Sequence, residues 1–127
     1  MTKPNLTSVS DALNAALAEA QERRFIGPGS LDRGVRHALG FAVGVDAPGS
    51  MVDLGSGGGL PALVLAEHWP DAEIVLVEGS TVRGEFLQGV VAELGLDGRV
   101  SVRDERAEMA GRAEALRAAF DLVTARG

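Results

Sequence analysis

Residues 51–61 read MVDLGSGGGLP, with four glycines in the five positions 55–59. The run just before them, SMVDL (50–54), is short and apolar, as a buried strand should be. The segment after them, LPALVLAEHW (60–69), reads as a helix whose first turn can take Pro61 without losing a needed hydrogen bond. Strand, glycine loop and helix in that order put unhindered backbone at the carboxyl end of a strand, where open α/β sheets bind ligands.

The pattern continues downstream. IVLVE (74–78) is a β-branched run suited to a parallel strand covered on both faces. STVRGEFLQGVVAELGL (80–96) carries Val82, Phe86, Leu87, Val90, Val91 and Leu94 at helical spacing, with Gly95 placed to end the helix. GRVSV (98–102) predicts a third strand, DERAEMAGRAEALRAAF (104–120) a loop and a helix, and FDLVTA (120–125) a fourth strand. Alternation with short loops predicts right-handed βαβ units in a parallel sheet. Upstream, Thr7–Ser10 begins a helix over DALNAALAEAQERR, with Leu13, Ala16, Leu17 and Ala20 on one face. FIGPGS (25–30) breaks it. LDRGVRHALGFAVGV (31–45) predicts a second helix with Leu31, Val35, Ala38, Leu39 and Ala42 as its apolar stripe. DAPGS (46–50) is a hinge. Residues 1–45 thus form an N-terminal helical segment, and residues 46–127 an α/β half-domain.

Composition narrows the function. A chain of 127 residues, 46% hydrophobic, can bury one real core. The net charge is −6, with four acids and five bases in residues 1–45 against fourteen and seven in residues 46–127. That balance disfavours a module that grips a phosphate backbone. With no cysteine, disulfides, thiolate metal sites and thiol catalysis are excluded, and His37 and His68 alone do not make a structural metal site. Both histidines read as ordinary helical residues. No apolar stretch is long enough to span a bilayer and the N-terminus lacks a signal-peptide core, so the expectation is a soluble, cytoplasmic protein without membrane or metal partners.

Three nucleotide classes compete for the loop. GSGGGLPA (55–62) has no lysine or threonine where a phosphate-gripping P-loop needs them. Positions 55, 57 and 60 are Gly, Gly and Leu, which departs from the GxGxxG of dinucleotide folds, so a nicotinamide dehydrogenase is a rival reading against the spacing. The third reading uses Asp53 ahead of Gly55, Gly57 and Gly59. A DxGxGxG form suits a ligand with an amino acid tail and no phosphate, as in S-adenosylmethionine. Glu78, at the end of the second strand, suits a ribose diol. Asp104, Glu105 and Glu108 follow the third strand, where one could meet an adenine amino group or simply face solvent. Asp53 itself can also brace the loop.

DLGSGGGLPALVLA (53–66), LVEGSTVRGEFL (76–87), RAE (106–108) and FDLVTARG (120–127) resemble the class I S-adenosylmethionine-dependent methyltransferases. More narrowly, with NLTSV (5–9), FIGP (25–28) and RH (36–37), the chain is similar to the glucose-inhibited division protein B family, which methylates N7 of a guanine in 16S ribosomal RNA. The resemblance implies a Rossmann-like fold, a parallel sheet with N-terminal helices of which the first four strands are present. It implies that Gly55 and Gly57 approach the methionine part of the cofactor, Leu60 lines its pocket, Glu78 holds the ribose, and Ala107 and Glu108 lie beside adenine. Arg126 would organise the active cleft beside the incoming base. It also implies small-subunit ribosomal RNA as partner. The family continues with about three further strands, so the sequence reads as truncated at its C-terminus, with a fourth-strand edge open to self-association. Alternatives are a cofactor-binding paralogue acting on another substrate, and a non-catalytic remnant or interaction module.

Overall fold

The computed structural model describes residues 9–104 and 118–125. Within them the chain forms helix α1 (Asp11–Glu22), helix α2 (Leu31–Val43), strand β1 (Ser50–Leu54), helix α3 (Ala62–His68), strand β2 (Glu73–Glu78), helix α4 (Thr81–Glu93), strand β3 (Val100–Asp104) and strand β4 (Leu122–Ala125). The four strands make one parallel sheet in the order β3-β2-β1-β4. This is the expected α/β architecture, and β1 spans the five residues the sequence assigns to it.

Local chemistry sets the helix starts. Ser10, Ser30 and Ser80 each precede a helix and accept a hydrogen bond from the backbone three residues on, at Leu13, Arg33 and Arg83. Each satisfies one of the helix's orphan N–H donors. Ser10 also gives both its N–H and its hydroxyl to the Glu67 carboxylate, which fastens the start of α1 to α3. The α1 stripe of Leu13, Ala16, Leu17 and Ala20 is buried as its spacing predicts. In α2 the buried residues are Val35, Ala38 and Ala42, with Leu31 and Leu39 half-buried beside them. In α4 Phe86, Leu87, Val90 and Val91 are buried, but Val82 is 55% exposed. A four-residue step in a helix of 3.6 residues per turn drifts by about 40°, which carries Val82 off the buried face.

Most other element boundaries shift by one to three residues from the sequence reading, and three of the shifts have a visible reason. Helix α3 begins at Ala62, with Pro61 just ahead of it, because Gly59 is still in a turn whose N–H bonds the Ser56 carbonyl. Helix α4 ends at Glu93, and Gly95 follows in the left-handed conformation at φ 71°. Strand β3 begins at Val100 instead of residue 98, because the Leu96 carbonyl takes the N–H groups of Val100 and Arg99 and so closes a turn just before it. The Arg99 guanidinium donates to the carbonyls of Ala66, Trp69 and Ala72 at 2.6, 3.2 and 3.1 Å, closing the carboxyl end of α3. The helix expected within residues 104–120 lies outside the described residues for most of its length.

One large apolar cluster joins α1, α2, α3 and α4 to Met51, Ile74, Leu76 and Val100 of the sheet. The opposite sheet face carries a smaller cluster of Val52, Val75 and Val77, packed by Leu54, Phe120 and Val123. Strand β4 is clamped to β1 at the foot of the sheet: Asp121 accepts from the Gly49 and Ser50 N–H groups, and Ser50 Oγ accepts from the Asp121 N–H. Among the described residues no helix is long and apolar enough to cross a membrane.

The N-terminal helices support the glycine loop directly. Arg23 stacks its guanidinium over Phe25 and Phe86, at 4.7 and 5.3 Å from the ring centroids, and the two rings meet edge to face. That holds residues 25–26 against Gly58. A Cβ at Gly58 would stand 2.5 Å from Ile26 Cγ1, 3.0 Å from the Phe25 carbonyl oxygen and 3.1 Å from Ala20 Cβ. Two of those three neighbours cannot rotate away. Gly58→Ala is therefore expected to lower stability by about 1–3 kcal/mol through overpacking, read as a shift in the urea unfolding midpoint. An unchanged midpoint would mean that α1 does not seat the loop.

Candidate functional site

The carboxyl ends of all four strands lie along one edge of the sheet, and the glycine loop rises from the end of β1. Its base is pinned to β2: the Gly55 and Ser56 N–H groups both donate to the Val77 carbonyl, at 2.8 and 3.1 Å. Ser56 is fully buried and returns its hydroxyl to the Asp53 carbonyl. Gly55 has φ 72°, and a Cβ built on it would meet none of the other described residues within 4 Å. Open space over a strand end, reachable only because no side chain stands there, is what a ligand needs in order to approach backbone closely.

Glu78 is the electrostatic centre of this edge. It is buried, yet its carboxylate collects three donors: Gly57 N–H on Oε1 at 2.8 Å, with Ser80 N–H at 2.9 Å and Arg83 Nε at 3.2 Å on Oε2. Burial pushes its pKa up, but the Ser80 and Gly57 amides and the Arg83 charge outweigh that and hold it below its ordinary value. The group therefore stays ionised, a fixed anion tying the β1 loop to the end of β2.

Asp53 is fully buried on β1. Its Oδ1 accepts from the Thr124 hydroxyl on β4 at 2.6 Å, between residues paired across the sheet. This contact braces the neighbouring strand. Leu60 follows the loop and is buried. Of the sequence-derived candidates, Asp53, Gly55, Gly57, Leu60 and Glu78 are brought together along this edge. Ala107, Glu108 and Arg126 lie outside the described residues.

Sequence reasoning missed a recess beside the loop. It has a volume of about 480 Å³ and lies between α2 and the end of β4, lined by Gly34, His37, Ala38, Phe41, Leu60, Pro61, Val123, Thr124 and Ala125. The signal was present as Gly34, His37, Ala38 and Phe41, which recur at i, i+3, i+4 and i+7, but the neighbouring buried stripe of the same helix obscured it. Among the described residues no group of three or more His, Asp or Glu is placed to hold a metal ion.

Comparison with known proteins agrees with this geometry. The family described as GidB, rRNA small subunit methyltransferase G, matches residues 33–127. The ribosomal RNA small subunit methyltransferase G of Sorangium cellulosum is 50% identical over 82 residues, covering 65% of this chain and 34% of that relative. The protein of the same name from Prochlorococcus marinus (strain MIT 9303) is 47% identical over 79 residues, covering 62% of this chain and 32% of that relative. The chain thus spans about a third of the length of these relatives. Among solved structures, the SAH-bound methyltransferase PaMTH1 of Podospora anserina superposes with a TM-score of 0.67 at 22% identity, covering 94% of this chain and 51% of that one. The O-methyltransferase TomG of Streptomyces achromogenes, in complex with SAM, gives 0.66 at 22% identity, covering 94% and 55%. The sheet and its helices are the Rossmann-like fold of class I methyltransferases.

The depressed pKa of Glu78 has a sign that can be tested. A carboxylate whose folded value lies below its unfolded one contributes stability that is fully present above the unfolded value and is lost as pH falls through the folded value. Glu78→Gln should therefore be less stable than the parent chain near pH 7, in chemical denaturation. The gap should close as the pH drops below the ordinary glutamate range. A gap that stays constant down to strongly acidic pH would show that the Glu78 charge does not hold the loop.

Proposed function

The chain belongs to the rRNA small subunit methyltransferase G family, and from that premise we propose that it forms the cofactor-binding part of an S-adenosylmethionine-dependent methyltransferase acting on N7 of a guanine in 16S ribosomal RNA. The observation that carries the reading is the Gly57–Glu78 hydrogen bond, which sets a glycine-rich loop and an ionised carboxylate side by side at the ends of β1 and β2. The names of the relatives support the ribosomal RNA substrate class, and the SAH- and SAM-bound neighbours support the cofactor.

The residues present fit that cofactor. Space over Gly55 admits an amino acid tail against backbone. A carboxylate offers about four lone-pair sites, and the described residues use three on Glu78, leaving Oε1 able to accept from a ribose hydroxyl. When bound, S-adenosylmethionine supplies a methyl group already activated on a sulfonium. What remains for the protein is position and electrostatics. Glu78 fixes the ribose, the glycine loop fixes the tail, and Asp53 with Thr124 keeps β4 in register beside them. Arg126, which follows β4 in the sequence, is assigned to the cleft on the acceptor side. Guanine N7 presents a lone pair and no proton, so no side chain has to act as a general base. Ala107 and Glu108 are assigned to the adenine side, and the working compartment to the cytoplasm.

Isothermal titration with S-adenosylhomocysteine is the test. The chain should bind it with a single site. Glu78→Ala should weaken binding by at least tenfold, about 1.4 kcal/mol, through loss of a charged hydrogen-bond acceptor. No heat of binding from a folded chain, or an unaltered affinity in Glu78→Ala, would contradict the reading.

A further inference from the structure

In the sheet order, β1 has β2 on one side and β4 on the other. Glu78 and its grip on the loop lie on the β2 side, whereas the recess lies on the β4 side, over Val123, Thr124 and Ala125. With strands about 4.8 Å apart, β2 and β4 are about 10 Å from each other. The chain steps from β1 outward to β2 and β3 and then crosses back to β4, so the β1/β4 crevice is where strand order reverses. That is where ligands of open α/β sheets sit. A cofactor held by its ribose at Glu78 and by its tail at the loop leaves the β4 side free for whatever it reacts with.

The chemistry of the recess is specific. Gly34, His37, Ala38 and Phe41 present one stripe of α2 to it. A Cβ at Gly34 would stand 3.0 Å from Leu60 Cδ1, so the missing side chain is what lets Leu60 fill the floor. Phe41 is 41% exposed, a large ring left open at a recess that Pro61 and Val123 also line. Thr124 gives its hydroxyl to Asp53. Among the described lining side chains His37 is then the one free to donate to an occupant, the Thr124 oxygen being left able only to accept, and an imidazole can either donate or accept. Apolar faces with one edge-on polar group suit a flat heteroaromatic ring, which proteins take from single-stranded RNA by stacking on an aromatic side chain and bonding to the ring's edge. The volume of about 480 Å³ falls within the roughly 300–1,000 Å³ of small-molecule sites.

We propose that this recess seats the methyl-accepting purine, with Phe41 as its stacking face and His37 as the hydrogen-bond partner at its edge. The proposal rests on the methyltransferase reading of the glycine loop. It also gives an acidic chain a way to recognise RNA, by stacking a base instead of gripping phosphates.

The test uses the full chain, first saturated with S-adenosylhomocysteine and then titrated with guanosine 5′-monophosphate. Affinities come from NMR shifts of the α2 amides and the Phe41 ring. The nucleotide should perturb His37 and Phe41, and ribose 5-phosphate should not. Phe41→Ala should weaken nucleotide binding about tenfold or more while leaving S-adenosylhomocysteine affinity within twofold. Phe41→Tyr should restore it, and His37→Ala should weaken it with the same selectivity. Loss of both ligands together in Phe41→Ala would make the recess part of the cofactor site and overturn the proposal. So would equal shifts from ribose 5-phosphate, or none at α2 with nucleotide in a chain that binds S-adenosylhomocysteine. Absence of S-adenosylhomocysteine binding in the first step is a separate result. It removes the methyltransferase reading and the purine seat with it.

Discussion

The hydrogen bond from the Gly57 N–H to Glu78 Oε1 is the contact on which the site depends. It joins the tip of the β1 loop to the end of the neighbouring strand, and it does so with a carboxylate that burial alone would tend to neutralise. Ser80 and Arg83 keep that carboxylate charged from the other side. The same two residues begin α4, since Ser80 Oγ also accepts from the Arg83 N–H. Loop position, carboxylate charge and helix start therefore form one connected unit. A change in any of the three is felt at the other two, because an unpaired buried charge is far more costly than a paired one.

The rest of the fold serves to hold β1 and its loop between fixed neighbours. On the β2 side the Val77 carbonyl takes the Gly55 and Ser56 amides. On the β4 side Thr124 donates to Asp53 near the top and Asp121 accepts from Gly49 and Ser50 at the foot. From beneath, α1 and residues 25–26 press against Gly58, where a methyl group has no room. The loop is thus immobilised from three directions while the space over Gly55 stays open. This is the combination a preorganised binding loop needs: rigid backbone and an unobstructed approach.

Much of this was legible in the sequence, and what was not has physical causes. Periodicity locates α1 and its four buried residues because a helix against a core needs only local spacing to declare its face. Strand β1 is bounded on one side by Gly49 and on the other by the glycine loop, so its limits coincide with chemical breaks. Strand β3 begins two residues later than its apolar pattern indicates because the Arg99 and Val100 N–H groups still close a turn on the Leu96 carbonyl. The Arg99 guanidinium meanwhile reaches three carbonyls at and beyond the end of α3, about thirty residues earlier in the chain, and nothing local marks that commitment. The brace between Asp53 and Thr124, 71 residues apart, is likewise invisible until β4 is seated beside β1. His37 looks like an ordinary helical residue for the same reason. Its surroundings come from β4 and from the loop, and only their convergence with α2 forms a recess.

The central claim is that the Gly57–Glu78 junction is the cofactor grip and that the α2 recess is separate from it. Amide NMR of the isotopically labelled chain, titrated with S-adenosylhomocysteine alone, addresses both halves at once. The account predicts large shifts at Gly55, Gly57 and Ser80, with those at Gly34, His37 and Phe41 small by comparison. Shifts concentrated on α2, with the loop amides unmoved, would contradict it.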